Sequence, residues 1–224
     1  MKKIALVIPF FLFFSCKSDK DKFAIPKNEI KISKVNQDID TSKIIAIQKT
    51  EENNETYLKG GFSIIYSTDN EEQYLIFKKG EKVIDTLNSC SFGCLEKNLG
   101  YVISDFDDTF ILGQSFGGGN PTVIQLYEKK TVKNLIKQYS AIIDVDTTKQ
   151  IVLYSENDVP KQTDRMTLFD VKTRQKKTYE FPKEVFGEPE ILNRIHLTNT
   201  TDKSFTIEYE FDEYNQKKQK MYSR

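Results

Sequence analysis

The apolar residues of this chain come in short runs, and that constrains the fold more than any other feature. Beyond residue 60 the runs include Phe62-Ser-Ile-Ile-Tyr66, Tyr74-Leu-Ile-Phe77, Thr109-Phe-Ile-Leu112, Thr122-Val-Ile-Gln-Leu-Tyr127, Gln150-Ile-Val-Leu-Tyr154, Met166-Thr-Leu-Phe169 and Ser204-Phe-Thr-Ile-Glu-Tyr209. Ile, Val, Phe and Tyr dominate them, and these side chains fit a pleated, half-buried surface. Polar segments rich in Gly, Asp, Asn and Lys separate the runs, as turns do. No segment after residue 60 repeats its apolar positions at helical spacing over a helix's length. The chain therefore predicts an all-β fold of antiparallel strands. Its 16 Phe and 11 Tyr supply a core although Trp is absent. A length of 224 residues suits one domain of ordinary size or two small ones.

The runs also recur in a fixed order. Four sets start near residues 62, 109, 150 and 204. Each reads as an apolar strand, a loop, an apolar strand, a Lys-rich turn and a more polar strand. Lys78-Lys-Gly80, Tyr127-Glu-Lys-Lys130 and Asp170-Val-Lys-Thr-Arg174 occupy the same turn in successive sets. A repeat of about 40–50 residues with some four strands per unit resembles the blades of TolB-like and WD-type β-propellers. That resemblance implies a small, partial or irregular propeller across roughly residues 60–224. An open meander or a sandwich satisfies the same pattern. Lys31 to Gln48 could hold one strand or a short helix, and Pro182 to Pro189 reads as a loop.

The amino terminus carries a different message. Met1-Lys2-Lys3 is basic, Ile4 to Phe14 is uncharged and almost wholly apolar, and Ser15 precedes Cys16. The apolar stretch is shorter than the roughly 20 residues a spanning helix needs, and the whole is patterned as a secretory signal peptide. Phe13-Phe14-Ser15-Cys16 resembles the lipobox of bacterial lipoproteins. The resemblance implies cleavage before Cys16, diacylglyceryl attachment to Cys16 and acylation of the new terminus. The polar stretch Lys17-Ser-Asp-Lys-Asp-Lys22 looks like the tether of Bacteroidota surface lipoproteins. The expected organisation is a signal peptide over 1–15, a lipidated Cys and tether over 16–40, and an all-β repeat domain over 41–224. The expected location is the cell envelope, anchored to the outer membrane on its periplasmic or outer face.

Three Cys are present. If Cys16 holds lipid, Cys90 and Cys94 remain, and an oxidising envelope favours a disulfide between them. Free thiols and metal or redox use are the alternatives, but a redox pair would more usually have two intervening residues. A zinc site would need two further ligands, with only His196 to spare.

One string looks catalytic. Tyr101-Val-Ile-Ser-Asp105-Phe-Asp107-Asp-Thr109 resembles the first motif of haloacid dehalogenase-like phosphatases. Carried over, Asp105 would be the nucleophile and Asp107 the general acid/base beside Mg²⁺. The crossover helices and later acidic pair of that family are not found. Similar strings recur at Asp38-Ile-Asp40, Asp144-Val-Asp146 and Asn199-Thr-Thr-Asp202. A string that repeats with the structural unit reads as a turn, with Ca²⁺ held by the aspartates as a further alternative. Phe116-Gly-Gly-Gly-Asn-Pro121 lacks the Lys-Ser/Thr of a phosphate loop and reads as a connection that could offer a contact surface. His196 alternates with Ile195 and Leu197, as in a strand.

Charge narrows the partners. Lys plus Arg and Asp plus Glu each number 33, which argues against nucleic-acid binding. Lys2 and Lys3 belong to the leader, so the exported part is slightly acidic. No catalytic residue, metal or cofactor is assigned. The expected function is a lipid-anchored binding module for a protein or an envelope glycan, including an inhibitor or immunity role. A passive structural envelope lipoprotein is the alternative, with the Asp105 phosphatase behind it.

Overall fold

Short runs bounded by turns do produce strands throughout. A computed structural model describes residues 55–157, 165–185, 189–211 and 216–224, all within one unit, Thr41–Arg224. The leader, Cys16, the tether, the Lys31–Gln48 segment and the Asp38-Ile-Asp40 string lie outside the described residues.

Three antiparallel sheets follow one another along the chain. The first is a meander of β1 (Glu55–Leu58), β2 (Phe62–Thr68), β3 (Glu72–Lys79) and β4 (Lys82–Ser91). A single helical turn, α1 (Glu96–Leu99), leads to the second sheet. That sheet holds β5 (Tyr101–Asp105), β6 (Thr109–Gln114), β7 (Val123–Glu128), β8 (Lys133–Asn134), β9 (Ser140–Asp146), β10 (Ile151–Ser155), β11 (Arg165–Asp170) and β12 (Gln175–Glu180). A 3-10 helix, Pro189–Arg194, precedes the third sheet of β13 (Ile195–Thr200), β14 (Ser204–Glu210) and β15 (Lys217–Ser223). None of the three sheets closes on itself.

The second sheet has a joint in the middle. β7 and β9 pair only at Val123↔Ala141 and Ile124↔Ser140. The other end of the same β7 edge is taken by β8, at Tyr127↔Asn134 and Glu128↔Lys133. Two strands share one edge, so β8 is confined to Lys133–Asn134.

Burial shows that the sheet bends at this joint. Ile111, Ile124 and Leu126 from one half share a core with Val152, Tyr154 and Phe169 from the other. Phe110 and Leu112, on the opposite face of β6, pack with Phe62, Leu75 and Phe77 of the first sheet. Ile151 and Leu153, on the opposite face of β10, pack with Phe205, Ile207 and Tyr209 of the third. The result is four layers of strands with three cores between them. β6 and β10 are covered on both faces, which is why their runs are continuous rather than alternating. In the first core Phe62, Phe77, Phe110 and Tyr127 form a chain of rings, with centroids 5.3, 5.1 and 5.5 Å apart.

Each layer opens one strand earlier than the apolar runs indicate. β1, β5, β9 and β13 precede the strands near 62, 109, 150 and 204. These opening strands carry more polar residues, as in Ile195-His-Leu-Thr-Asn-Thr200, although the alternation around His196 still reads as a strand in the sequence.

Candidate functional site

Antiparallel pairing places alternate turns at opposite ends of the layers, and the two ends differ in chemistry. One end holds the turns that follow β1, β3, β5, β7, β9, β11 and β13. Backbone bonds from Gly80 N to Gly61 O, Lys129 N to Asp108 O, Val171 N to Gln150 O and Arg224 N to Lys203 O tie these turns together.

Asp105, Asp107 and Asp108 sit in the β5–β6 turn of this end. One Asp105 oxygen accepts from the backbone N–H of Lys59 at 2.7 Å. The other lies 2.7 Å from Lys129 Nζ. That contact is close but poorly aligned for a hydrogen bond, since Oδ1 has no geometric partner, so it acts mainly through charge. Lys129 is only 1% exposed. Its ammonium donates to the carbonyls of Phe106 at 2.7 Å and Lys59 at 2.9 Å, with Asp107 O at 3.4 Å. Asp107 pairs with Lys59 at 3.3 Å in solvent, a contact worth about 0–1 kcal/mol. Asp108 accepts from Arg174 Nη2 at 2.7 Å, and the same nitrogen lies 3.5 Å from Glu128. Both oxygens of Asp105 are thus spent on holding three turns together.

The related strings also bond to local backbone. Asp146 Oδ1 accepts from Lys149 N, and Asp170 Oδ1 from Thr173 N. Thr201 Oγ1 accepts from Lys203 N and Ser204 N. These are side-chain turns of the kind Asp and Thr favour. Asp144 does something else: it accepts from Val145 N and from Leu197 N at 2.7 Å, joining β9 to β13. Among the described residues no group of three or more His, Cys, Asp or Glu is placed to hold a metal. His196 is exposed on β13, opposite Glu208.

The other end is built from two loops. β4 runs into Cys90 and Cys94, whose sulfurs stand at disulfide distance with Cα atoms 6.4 Å apart. Gly93 takes φ +89° within this loop, and Phe92 N donates to Glu71 O. Replacing both cysteines with Ser should cost about 2 kcal/mol by loop-closure entropy. Urea denaturation of the oxidised protein and the double variant measures the difference.

α1 then seats Leu99 in the first core. Asn88 Nδ2 donates to Leu99 O at 2.7 Å, and the Tyr66 hydroxyl donates to Gly100 O at 2.5 Å. Burial raises the Tyr66 phenol above its usual range, so it stays a donor. Gly100 has φ +134°, and a Cβ there would lie 3.1 Å from Leu112 Cδ2, so only glycine fits.

The second loop is Ser115–Pro121, and it is stitched to the first. Ser115 N donates to Lys97 O at 2.8 Å, Asn98 Nδ2 to Ser115 O at 2.8 Å, and Gln114 Nε2 to Asn98 O at 3.1 Å. Gly117, Gly118 and Gly119 all take positive φ, at 72°, 66° and 78°. The glycine run therefore shapes a left-handed bend, closed by Asn120 Nδ2 on Gly117 O at 2.9 Å.

These braced loops hold apolar side chains out in solvent. Phe92 is 65% exposed, Leu95 60% and Phe116 58%. Tyr139 is exposed at the same end, where the chain enters β9. Around them lie Asp69, Glu71, Glu72 and Glu96, which exceed the nearby Lys97 and Lys137 in charge. The Tyr74 hydroxyl donates to Asp69 at 2.9 Å, and burial first, then that bond, pushes its pKa up to about 12. Exposed apolar groups clustered within a polar rim mark contact surfaces. Of the residues singled out from sequence, only Cys90, Cys94 and the glycine run belong to this end. The Phe116 loop was read from sequence as a connection that could offer a contact surface; Phe92 and Leu95 were missed, although a Phe between two Cys was the signal available.

Comparison with protein-family models, curated proteins and solved structures finds none that matches this chain.

Proposed function

We propose that this protein is a non-catalytic binding module of the bacterial cell envelope, anchored by lipid on Cys16, with the Phe92–Leu95–Phe116 end as its contact surface. The observation that carries the reading is the bracing of those three side chains. A monomer gains nothing from holding three large apolar groups in water on loops fixed by a Cys pair and side-chain bonds. A partner gains from it, because groups ordered in advance cost less entropy to bind. The acidic rim suits a protein partner whose matching surface is basic at its edge.

The scaffold suits this role. We read the layers over 55–91, 101–134, 140–180 and 195–223 as blade-like units of an irregular, open propeller. Each is an antiparallel meander, and each packs on the next. Such repeats offer loops at two ends with a rigid body between them, so contact surfaces can be built without disturbing the cores.

Two measurements test the proposal. Cells fed labelled palmitate should label the protein, and Cys16→Ala should abolish the label; persistent labelling contradicts the anchor. Formaldehyde treatment of intact cells should trap the chain in one discrete heavier species. A chain that runs only as a monomer under all growth conditions contradicts the binding role.

A further inference from the structure

The end opposite the apolar loops carries an unusual charge pattern. Most of its carboxylates sit in ion pairs: Asp105 with Lys129, Asp107 with Lys59, Asp108 and Glu128 with Arg174, Asp170 with Arg224, and Glu81 with Lys78. The cations in these pairs include the most buried ones at this end, such as Lys129. Asp146 and Asp202 have no ion-pair partner among the described residues, and the unpaired lysines of this end outnumber them. Lys82, Lys130, Lys133, Lys149, Lys172 and Lys203 are all exposed, and none has an ion-pair partner among the described residues. They sit on or beside the turns after β3, β7, β9, β11 and β13. Backbone bonds and ion pairs tie those turns into one end. The chain as a whole is neutral, so this excess is a product of the fold.

We infer that this lysine-bearing end lies against a surface of anionic lipid headgroups. The chemistry favours a diffuse anionic surface over a discrete ligand. The lysines are spread over five turns and converge on no groove. Two grooves near this end are lined by Asp144–Thr147 with Leu197–Thr200, and by Leu168, Gln175 and Tyr179 among others, and neither gathers these six ammonium groups. Flexible single charges at turn tips gain from a surface of spread negative charge, each adding attraction that fades within a Debye length of about 10 Å in 0.1 M salt. The consequence is orientation: the basic end faces the membrane, and Phe92, Leu95 and Phe116 face away from it. The inference rests on charge placement alone, independent of lipidation at Cys16 and of what the apolar loops bind.

The test uses the full chain carrying Cys16→Ala, so that no acyl chain contributes. It is sedimented with vesicles of phosphatidylcholine alone, and with vesicles containing one quarter phosphatidylglycerol. Binding should favour the anionic vesicles and weaken steeply as salt rises. The variant Lys82→Gln/Lys130→Gln/Lys133→Gln/Lys172→Gln should lose roughly tenfold or more of that binding. Lys97→Gln/Lys137→Gln, at the opposite end, should bind as the parent does. Equal binding to both vesicle types, no binding to either, or a quadruple variant that matches the parent each overturns the inference. The salt titration on the unsubstituted turns decides the matter even if the quadruple variant folds poorly.

Discussion

Lys129→Met should destabilise the protein by about 3 kcal/mol, near the lower end of what losing one partner of a buried pair costs. The lysine is 1% exposed and Asp105 is 21% exposed, so some solvent screening of the carboxylate remains. Methionine fills much of the space but leaves Asp105 without its cation and the carbonyls of Lys59 and Phe106 without a donor. For a domain of this size the melting temperature should fall by roughly 6–12 °C. Lys129→Arg should rescue little, because a flat guanidinium cannot aim its N–H groups at these converging oxygens as an ammonium does. Asp105→Asn should cost less, since its oxygen can still accept from Lys59 N. The double variant should lose less than the two single losses added together, by about 1 kcal/mol or more. A Lys129→Met protein within about 1 kcal/mol of the parent would contradict the lock described for the three turns.

That lock shows where sequence reading stopped. Lys129 and Lys130 are adjacent in one Lys-rich turn, yet one is buried and the other exposed. Nothing local separates them. The difference comes from Asp105 and two carbonyls contributed by other turns, and such convergence exists only after the layers stack. The strands were legible because Ile, Val, Phe and Tyr in short runs suit few other structures. Even so, the opening strands were harder to see. β9 contains buried Ser140 and half-buried Asp144, and Asp144 reads as polar although it bonds to Leu197 N across to β13. The recurrent strings were legible as turns from their repetition, and Asp146 and Thr201 do bond to local backbone N–H groups, whereas the bonds of Asp105 to Lys59 N and of Asp144 to Leu197 N reach across the layers. The apolar end was the least legible. In sequence Phe92 and Leu95 look like candidates for the core, and only the Phe116 loop reads as a contact surface. All three are outside the core because the Cys pair, α1 and three left-handed glycines hold their loops beyond the ends of the strands.

The second large effect concerns that end. Phe92→Ser/Phe116→Ser should lower affinity for the partner by at least a hundredfold. Central aromatic anchors commonly cost 2 kcal/mol or more each when truncated, which is roughly thirtyfold apiece. Stability should barely change, because side chains 65% and 58% exposed give up little buried area. The pairing of these two outcomes is the informative part. A variant that lost binding together with several degrees of melting temperature would show that these loops support the fold instead. Glu71→Lys/Glu96→Lys should leave the apolar contact in place but slow association, as rim charges govern encounter more than grip.

The central claim is that the Phe92–Leu95–Phe116 end meets a partner, and light-driven crosslinking at single positions tests it most directly. Benzoylphenylalanine is placed at position 116 in one strain and at Met221 in another. Met221 is a 72% exposed control on β15, away from both loops. After illumination of intact cells, position 116 should yield one discrete adduct and position 221 should yield none. No adduct from 116, or the same adducts from both positions, would contradict the account.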